Sequence, residues 1–114
     1  MTLDQLRASR CAPLRGREHL LGTAARDRLL ALVPQWSLEA DGQGIVREFR
    51  WADFHRTMAF VNAVAWIAHE QDHHPDLEVG YSRCRLRYST HDVGGLSRND
   101  FICAAKVDAL LASS

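Results

Sequence analysis

Residues 53–90 read DFHRTMAFVNAVAWIAHEQDHHPDLEVGYSRCRLRYST, and the hydrophobic period changes within that stretch. In its first half Phe54, Met58, Val61, Ala65 and Ala68 recur at a spacing of about 3.6 residues, and Phe60, Val64 and Ile67 widen the stripe. This predicts a long helix from about Ala52 or Asp53 to near Gln71, well buried against a sheet. Pro75 disfavours helical geometry at His74, so the helix is expected to end just before the double histidine. In the second half Cys84, Leu86, Tyr88 and Thr90 alternate with Arg83, Arg85, Arg87 and Ser89. Alternation of this kind is a half-buried strand, and the segment 77–90 reads as a hairpin. The three arginines are most simply a solvated sheet face, with anionic-ligand binding as the alternative.

The flanking sequence continues the same pattern. Upstream, Trp36–Ala40 and Ile45–Trp51 flank Asp41-Gly42-Gln43-Gly44, whose residues favour a tight turn. Ile45, Phe49 and Trp51 then share one face. Before this hairpin, a short helix is expected from about Ala24 to Val33, capped by Thr23 and stopped by Pro34. Downstream, Gly94-Gly95 forms a loop. Ser97 starts a final helix through about Leu111, with Phe101, Ala104, Ala105 and Leu111 on one side. The order α-β-β-α-β-β-α predicts an α+β fold: a four-stranded antiparallel sheet with three helices packed on one face. Residues 1–19, with Arg7, Arg10, Arg15 and Arg17 around Pro13 and Gly16, read as a loosely ordered N-terminal arm.

Composition narrows the function classes. A chain of 114 residues is long enough for one domain, and one this small gains from oligomerisation. Formal net charge is zero, so no global field draws the molecule toward nucleic acid or an anionic membrane. Lys106 is the one lysine among 14 basic residues, a bias read as compositional. Cys11, Cys84 and Cys103 include no C-x-x-C pair, which argues against a disulfide framework or a cysteine zinc site and fits a reducing cytoplasm. Met1–Arg10 lacks the apolar core of a signal peptide, and no run is long enough to span a bilayer.

The chemistry concentrates between residues 69 and 91, where His69, His73, His74 and His91 lie; His19 and His55 stand alone and read as surface residues. The unperturbed imidazole pKa lies near neutrality, so a histidine cluster is a candidate acid/base site. His69-Glu70-Gln71-Asp72-His73 also matches H-E-x-x-H, the helical zinc-hydrolase pattern. Three things count against that reading. Pro75 ends the helix, no downstream ligand has a zinc-protease spacing, and the domain is small for a protein-cleaving cleft.

A longer constellation is more specific: His69, three residues, His73-His74-Pro75, five residues, Tyr81, nine residues, His91, eight residues, Asp100. It resembles the signature of the pterin-4a-carbinolamine dehydratase family. Trp36, Ile45–Phe49, Phe60–Ala65, and Ser89-Thr90-His91 through Gly95-Leu96-Ser97 extend the resemblance over roughly residues 20–112. Residues 20–114 are then one dehydratase-like domain. His69 occupies a position more often held by glutamate in that family.

The resemblance implies a metal-free, cofactor-free enzyme that dehydrates a 4a-hydroxytetrahydropterin to the quinonoid dihydropterin. The setting is tetrahydrobiopterin recycling, beside an aromatic amino acid hydroxylase. It implies a homodimer or homotetramer. By motif position His73 and His91 are the acid/base pair, and His74 binds and orients the pterin with a share in proton transfer. Asp72, Tyr81 and Asp100 join His74 as substrate-binding candidates. Plainer readings stand beside these roles. His73 is placed to meet the carbonyl end of a helix, His91 to be a strand-end surface residue, and Asp100 to complete a capping box with Ser97. Asp72 could be solvated, and Tyr81 could be a packing residue. A non-catalytic binding role is the second functional reading, since animal members of the family also serve as dimerisation partners of a homeodomain activator.

Overall fold

The computed structural model describes residues 1–112, so the last two residues of the expected 20–114 domain lie outside the described part. The elements run α1 (Leu3–Ala8), α2 (Thr23–Leu32), β1 (Ser37–Leu38), β2 (Ile45–Arg50), α3 (Phe54–Gln71), β3 (Asp76–Val79), β4 (Arg83–Tyr88) and α4 (Arg98–Ala112). Short 3₁₀ turns cover Arg17–His19 and His91–Val93. The four strands form one antiparallel sheet in the order β1-β2-β4-β3, and the three longer helices lie against one face, giving the α+β fold.

β4 explains the layering. Cys84, Leu86 and Tyr88 are buried while Arg83, Arg85 and Arg87 are half-exposed, the period-two pattern of a strand with one face on a core. The arginines are paired on the outer face. Arg83 meets Glu48 at 3.2 Å, Arg85 meets Glu78 at 2.9 Å, and Arg87 meets Glu39 at 2.6 Å. The register Ile45↔Tyr88 and Phe49↔Cys84 puts those β2 side chains on the inner face. Arg47 shares that face, where its guanidinium lies 4.5 Å from the Phe49 ring centroid and bonds Asp108 of α4 at 2.7 Å.

β2 and β3 both pair with β4, so α3 crosses over the sheet to join two strands that are not neighbours. Asp53 caps α3 by accepting from the Arg56 N–H at 2.8 Å. The buried face of α3 takes in only one side of the predicted stripe, the side of Phe60, Val64 and Ile67. Thr57, Phe60, Val64, Ile67 and Gln71 are buried, whereas Phe54 is half-exposed and Ala65 is exposed. Alanine, valine and aromatics surround this helix, so two overlapping stripes satisfy the same period, and packing against α4 and the sheet selects between them.

The N-terminal segment also departs from expectation. Thr2 caps α1 in a capping box with Gln5, and Leu6 is completely buried within the core. Lys106 of α4 donates to the Arg7 carbonyl at 2.6 Å. The residues expected to form a loose arm therefore include a docked turn of helix. In α2 the N-cap is Gly22, and Thr23 is the first helical residue rather than the cap.

Candidate functional site

α3 stops where the site begins. Asp72 takes a left-handed conformation with φ of 50°, rare for a residue with a Cβ, and the His73 N–H donates to the Ala68 carbonyl at 3.1 Å. This turn ends the helix before His73. His69 and His73 therefore do not occupy successive turns of one helix, as the H-E-x-x-H reading needs, and His69 instead lies beside the exposed Trp66 at 5.6 Å between ring centroids. Among the described residues no group of three or more His, Cys, Asp or Glu is arranged to hold a metal ion.

A bridge between Thr90 and Gly95 closes the opposite wall, with the Thr90 N–H donating to the Gly95 carbonyl at 2.8 Å. Inside it the 3₁₀ turn is closed by Gly94, whose φ of 81° suits a residue without a Cβ. Buried Val93 anchors the turn and leaves His91 exposed at its start. β3 begins just after His74 and β4 ends just before His91. Because the two strands are antiparallel neighbours, both histidines arrive at the same end of the sheet.

Asp72, His73, His74, Ser89, Thr90, His91 and Asp92 line one cavity of about 450 Å³. A second cavity of about 350 Å³ shares His74, Ser89 and His91 and continues past Gln43, Asp76 and Arg87. Together they are within the size range of small-molecule sites.

His73 is the most constrained of the histidines. Its Nε2 lies 2.7 Å from Asp100 Oδ1, and its ring stacks on Tyr88 with centroids 5.9 Å apart. Asp100 is fully buried. Its Oδ2 accepts from the Thr90 hydroxyl at 2.8 Å and the Ser97 N–H at 2.9 Å. Since the Thr90 proton goes to the carboxylate, the Ser97 hydroxyl donates to Thr90 Oγ1 across 2.6 Å. Burial alone would lower the His73 pKa. The hydrogen bond and charge of Asp100, with smaller contributions from Cys11 and Asp72, outweigh it and raise the pKa above the ordinary histidine value.

The sequence-predicted residues divide accordingly. His73, His74, His91 and Asp72 come together on one cavity. Asp100 does not line it; this residue caps α4 at Ser97 and reaches the cavity only through His73, so its place is behind the site rather than against a ligand. Tyr81 is elsewhere. It is 68% exposed in the β3–β4 turn, stacked on Phe54 at 6.2 Å, at the end of the hairpin remote from His74 and His91. Between it and His74 lies the whole of β3, which alone spans roughly 13 Å at about 3.3 Å per residue. Ser89 and Thr90 line the cavity as well, although neither carries acid/base chemistry of its own. Their position directly before His91 was the available signal.

Comparison with known proteins matches the chain to one family. The model of the pterin 4 alpha carbinolamine dehydratase family matches residues 19–110. The chain belongs to that family. A Xanthomonas campestris relative with the provisional name pterin-4-alpha-carbinolamine dehydratase is 60% identical over 108 residues, covering 95% of this chain and 92% of its own. A Stenotrophomonas maltophilia protein with the same provisional name is 58% identical over 108 residues, covering 95% and 93%. Among solved structures, a transcriptional coactivator/pterin dehydratase from Brucella melitensis superposes with a TM-score of 0.73 at 28% identity, over 79% of this chain and 96% of that one. A pterin dehydratase-like protein identified as a RuBisCO assembly factor in the alpha-carboxysome superposes with a TM-score of 0.59 at 25% identity, over 70% and 93%. The matched family region takes in every histidine that lines the cavity. Among the described residues no helix is long and apolar enough to cross a membrane.

Proposed function

We propose that this pterin-dehydratase family member removes water from a 4a-hydroxytetrahydropterin, giving the quinonoid dihydropterin, by acid/base catalysis from its histidines. The observation that carries the reading is the shared cavity of His73, His74 and His91, with Asp100 behind His73. The reaction needs a proton delivered to the departing C4a hydroxyl and a proton taken from N5. His73 is the proton donor: Asp100 favours its imidazolium, and with Nε2 committed to Asp100 the exchange with a ligand runs through Nδ1. His91, on the facing wall, accepts the N5 proton. His74 and Asp72 orient the ring. Acid/base catalysis of this kind is worth ~10²–10⁴-fold. The chemistry itself asks for neither a redox cofactor nor a metal.

The physiological setting we propose is cytoplasmic recycling of tetrahydrobiopterin beside an aromatic amino acid hydroxylase. The homodimer or homotetramer implied by the family is also part of this reading. The exposed edge strand β3, with Leu77 and Val79 uncovered, and the second apolar stripe of α3 support it. A non-catalytic partner role is the second reading, favoured by the names of the two structural relatives. The intact His73–Asp100 pair supports the enzyme, because a pure scaffold has no use for a charged imidazole facing a cavity.

The test is to generate the 4a-carbinolamine with a hydroxylase and follow quinonoid formation spectroscopically. The wild type should accelerate it with or without a chelator, and His73→Ala should lose ~10²-fold or more. No acceleration, with retained capture of a regulatory protein, would favour the scaffold. Chelator-sensitive activity would favour the zinc reading.

A further inference from the structure

Two thiols meet behind the histidine cavity. Cys11 lies in the irregular segment after α1, Cys103 lies on α4, and their sulfurs are 3.6 Å apart although 92 positions separate them in the chain. The approach is held from both sides. The Cys11 N–H donates to Gln71 Oε1 at 2.9 Å, the Ala12 N–H donates to Asn99 Oδ1 at 3.1 Å, and Asn99 Nδ2 donates to the Ala12 carbonyl at 2.7 Å. Cys103 Sγ also reaches the His73 carbonyl at 3.9 Å, so the pair adjoins the backbone of the site.

The two sulfurs are not equivalent. Cys11 is half-buried and Cys103 is fully buried, so an oxidant in solution meets Cys11 first. The hydrogen bond from Cys103 lowers the Cys11 pKa, burial opposes this, and the charges of His73 and Lys106 add to the lowering. The same bond and burial push Cys103 upward. Cys84 is buried on β4 and its thiol is raised by burial. A more accessible thiol of lowered pKa beside a second cysteine is the arrangement of a peroxide-sensitive pair.

We propose that Cys11 and Cys103 form a reversible intramolecular disulfide, with a hydroperoxide as oxidant, clamping the N-terminal segment to α4 beneath His73. The Cys11 thiolate attacks the peroxide, the O–O bond breaks, and Cys11 becomes a sulfenic acid while hydroxide or alkoxide leaves and takes a proton. The Cys103 sulfur then attacks Cys11, the S–S bond forms, the S–O bond breaks, and the hydroxyl departs as water with the Cys103 proton. The thiols lose two electrons in all and the peroxide gains two. A dithiol reductant reverses the exchange. The sulfurs must close from 3.6 Å to about 2.05 Å, a movement open to an irregular segment. Such a bond, transient rather than structural, is the kind a reducing compartment permits.

The experiment exposes the full chain to a small excess of hydrogen peroxide, alkylates residual thiols after denaturation, and maps peptides by mass spectrometry. The expected result is a Cys11–Cys103 cross-linked peptide with Cys84 alkylated, and a Tm raised by about 5 °C or more until dithiothreitol is added. Cys84→Ser should still form the bond, and Cys11→Ser should not. Over-oxidised Cys11 without the cross-link, a bond between two chains, or first reaction at Cys84 would each overturn the proposal. The readout is independent of dehydratase activity.

Discussion

His73 Nε2 and Asp100 Oδ1 lie 2.7 Å apart, joining the end of α3 to the first turn of α4, with side-chain exposures of 12% and 0%. One carboxylate thus does two jobs: it caps a helix, and its hydrogen bond and charge favour the protonated form of the imidazole beside the cavity. Asp100→Asn keeps the volume and can still accept from Ser97, but removes the charge. The His73 pKa should then fall, and the alkaline limb of the pH–rate profile should move to lower pH, because a proton donor is lost as pH rises through its pKa. The linked stability term has the same sign. A histidine whose folded pKa is raised stabilises the fold fully below its unfolded value of about 6.5, and that contribution disappears as pH rises through the folded value. Ring NMR titration of His73 in both proteins, with pH–rate profiles, checks both statements. An unmoved limb would remove His73 as the donor.

Tyr81→Ala should leave kcat/KM within about twofold of wild type. The side chain is at the far end of the hairpin and its stacking on Phe54 is exposed, worth ~1 kcal/mol at most. Steady-state kinetics suffices, and a large loss would mean that the ring reaches a cavity from which this structure separates it.

Leu6→Ala should cost roughly 2–5 kcal/mol, the range for emptying a buried leucine site, since Leu6 is fully buried within the core. A loose arm would give a change near zero. Urea unfolding separates the two outcomes.

Asp108→Ala should cost about 3 kcal/mol, as it strands the buried Trp36 N–H and the partly buried Arg47 guanidinium. Asp108 accepts from Trp36 Nε1 at 2.9 Å and Arg47 at 2.7 Å. Burial raises its pKa, with Trp36 and Arg47 pulling the other way. Arg47→Met, which removes the charge and keeps the stem, should cost less. Chemical denaturation of the two variants gives the comparison.

How far these features could be read from the sequence depended on whether local rules decide them. The alternation at Cys84–Thr90 fixed a strand and its inward face, because period two admits no other solution there. Pro75 after a double histidine located the end of α3. Once the two hairpins were recognised, antiparallel pairing brought His74 and His91 to one end of the sheet. The α3 face was legible only in part: Phe60, Val64 and Ile67 belong to the expected stripe, but apolar residues surround the helix and packing on α4 and the sheet chooses among them. α1 was not legible either: six residues are too few to be stable alone, and its order comes from docking on α4. Tyr81 matched a spacing, yet a spacing does not say which end of a hairpin a residue occupies. The sequence position of Asp100 fits both a cap and a site residue, and the fold joins the cap at Ser97 to His73 in a single network behind the cavity.

The central claim is tested most directly by a crystal structure of the protein with a bound dihydropterin. The account predicts the bicyclic ring in the cavity between His73-His74 and His91, with His73 still bonded to Asp100 and its Nδ1 toward the C4a–N5 edge. A ring bound elsewhere, for instance in the groove lined by Arg28, Leu29 and Arg98, would contradict it.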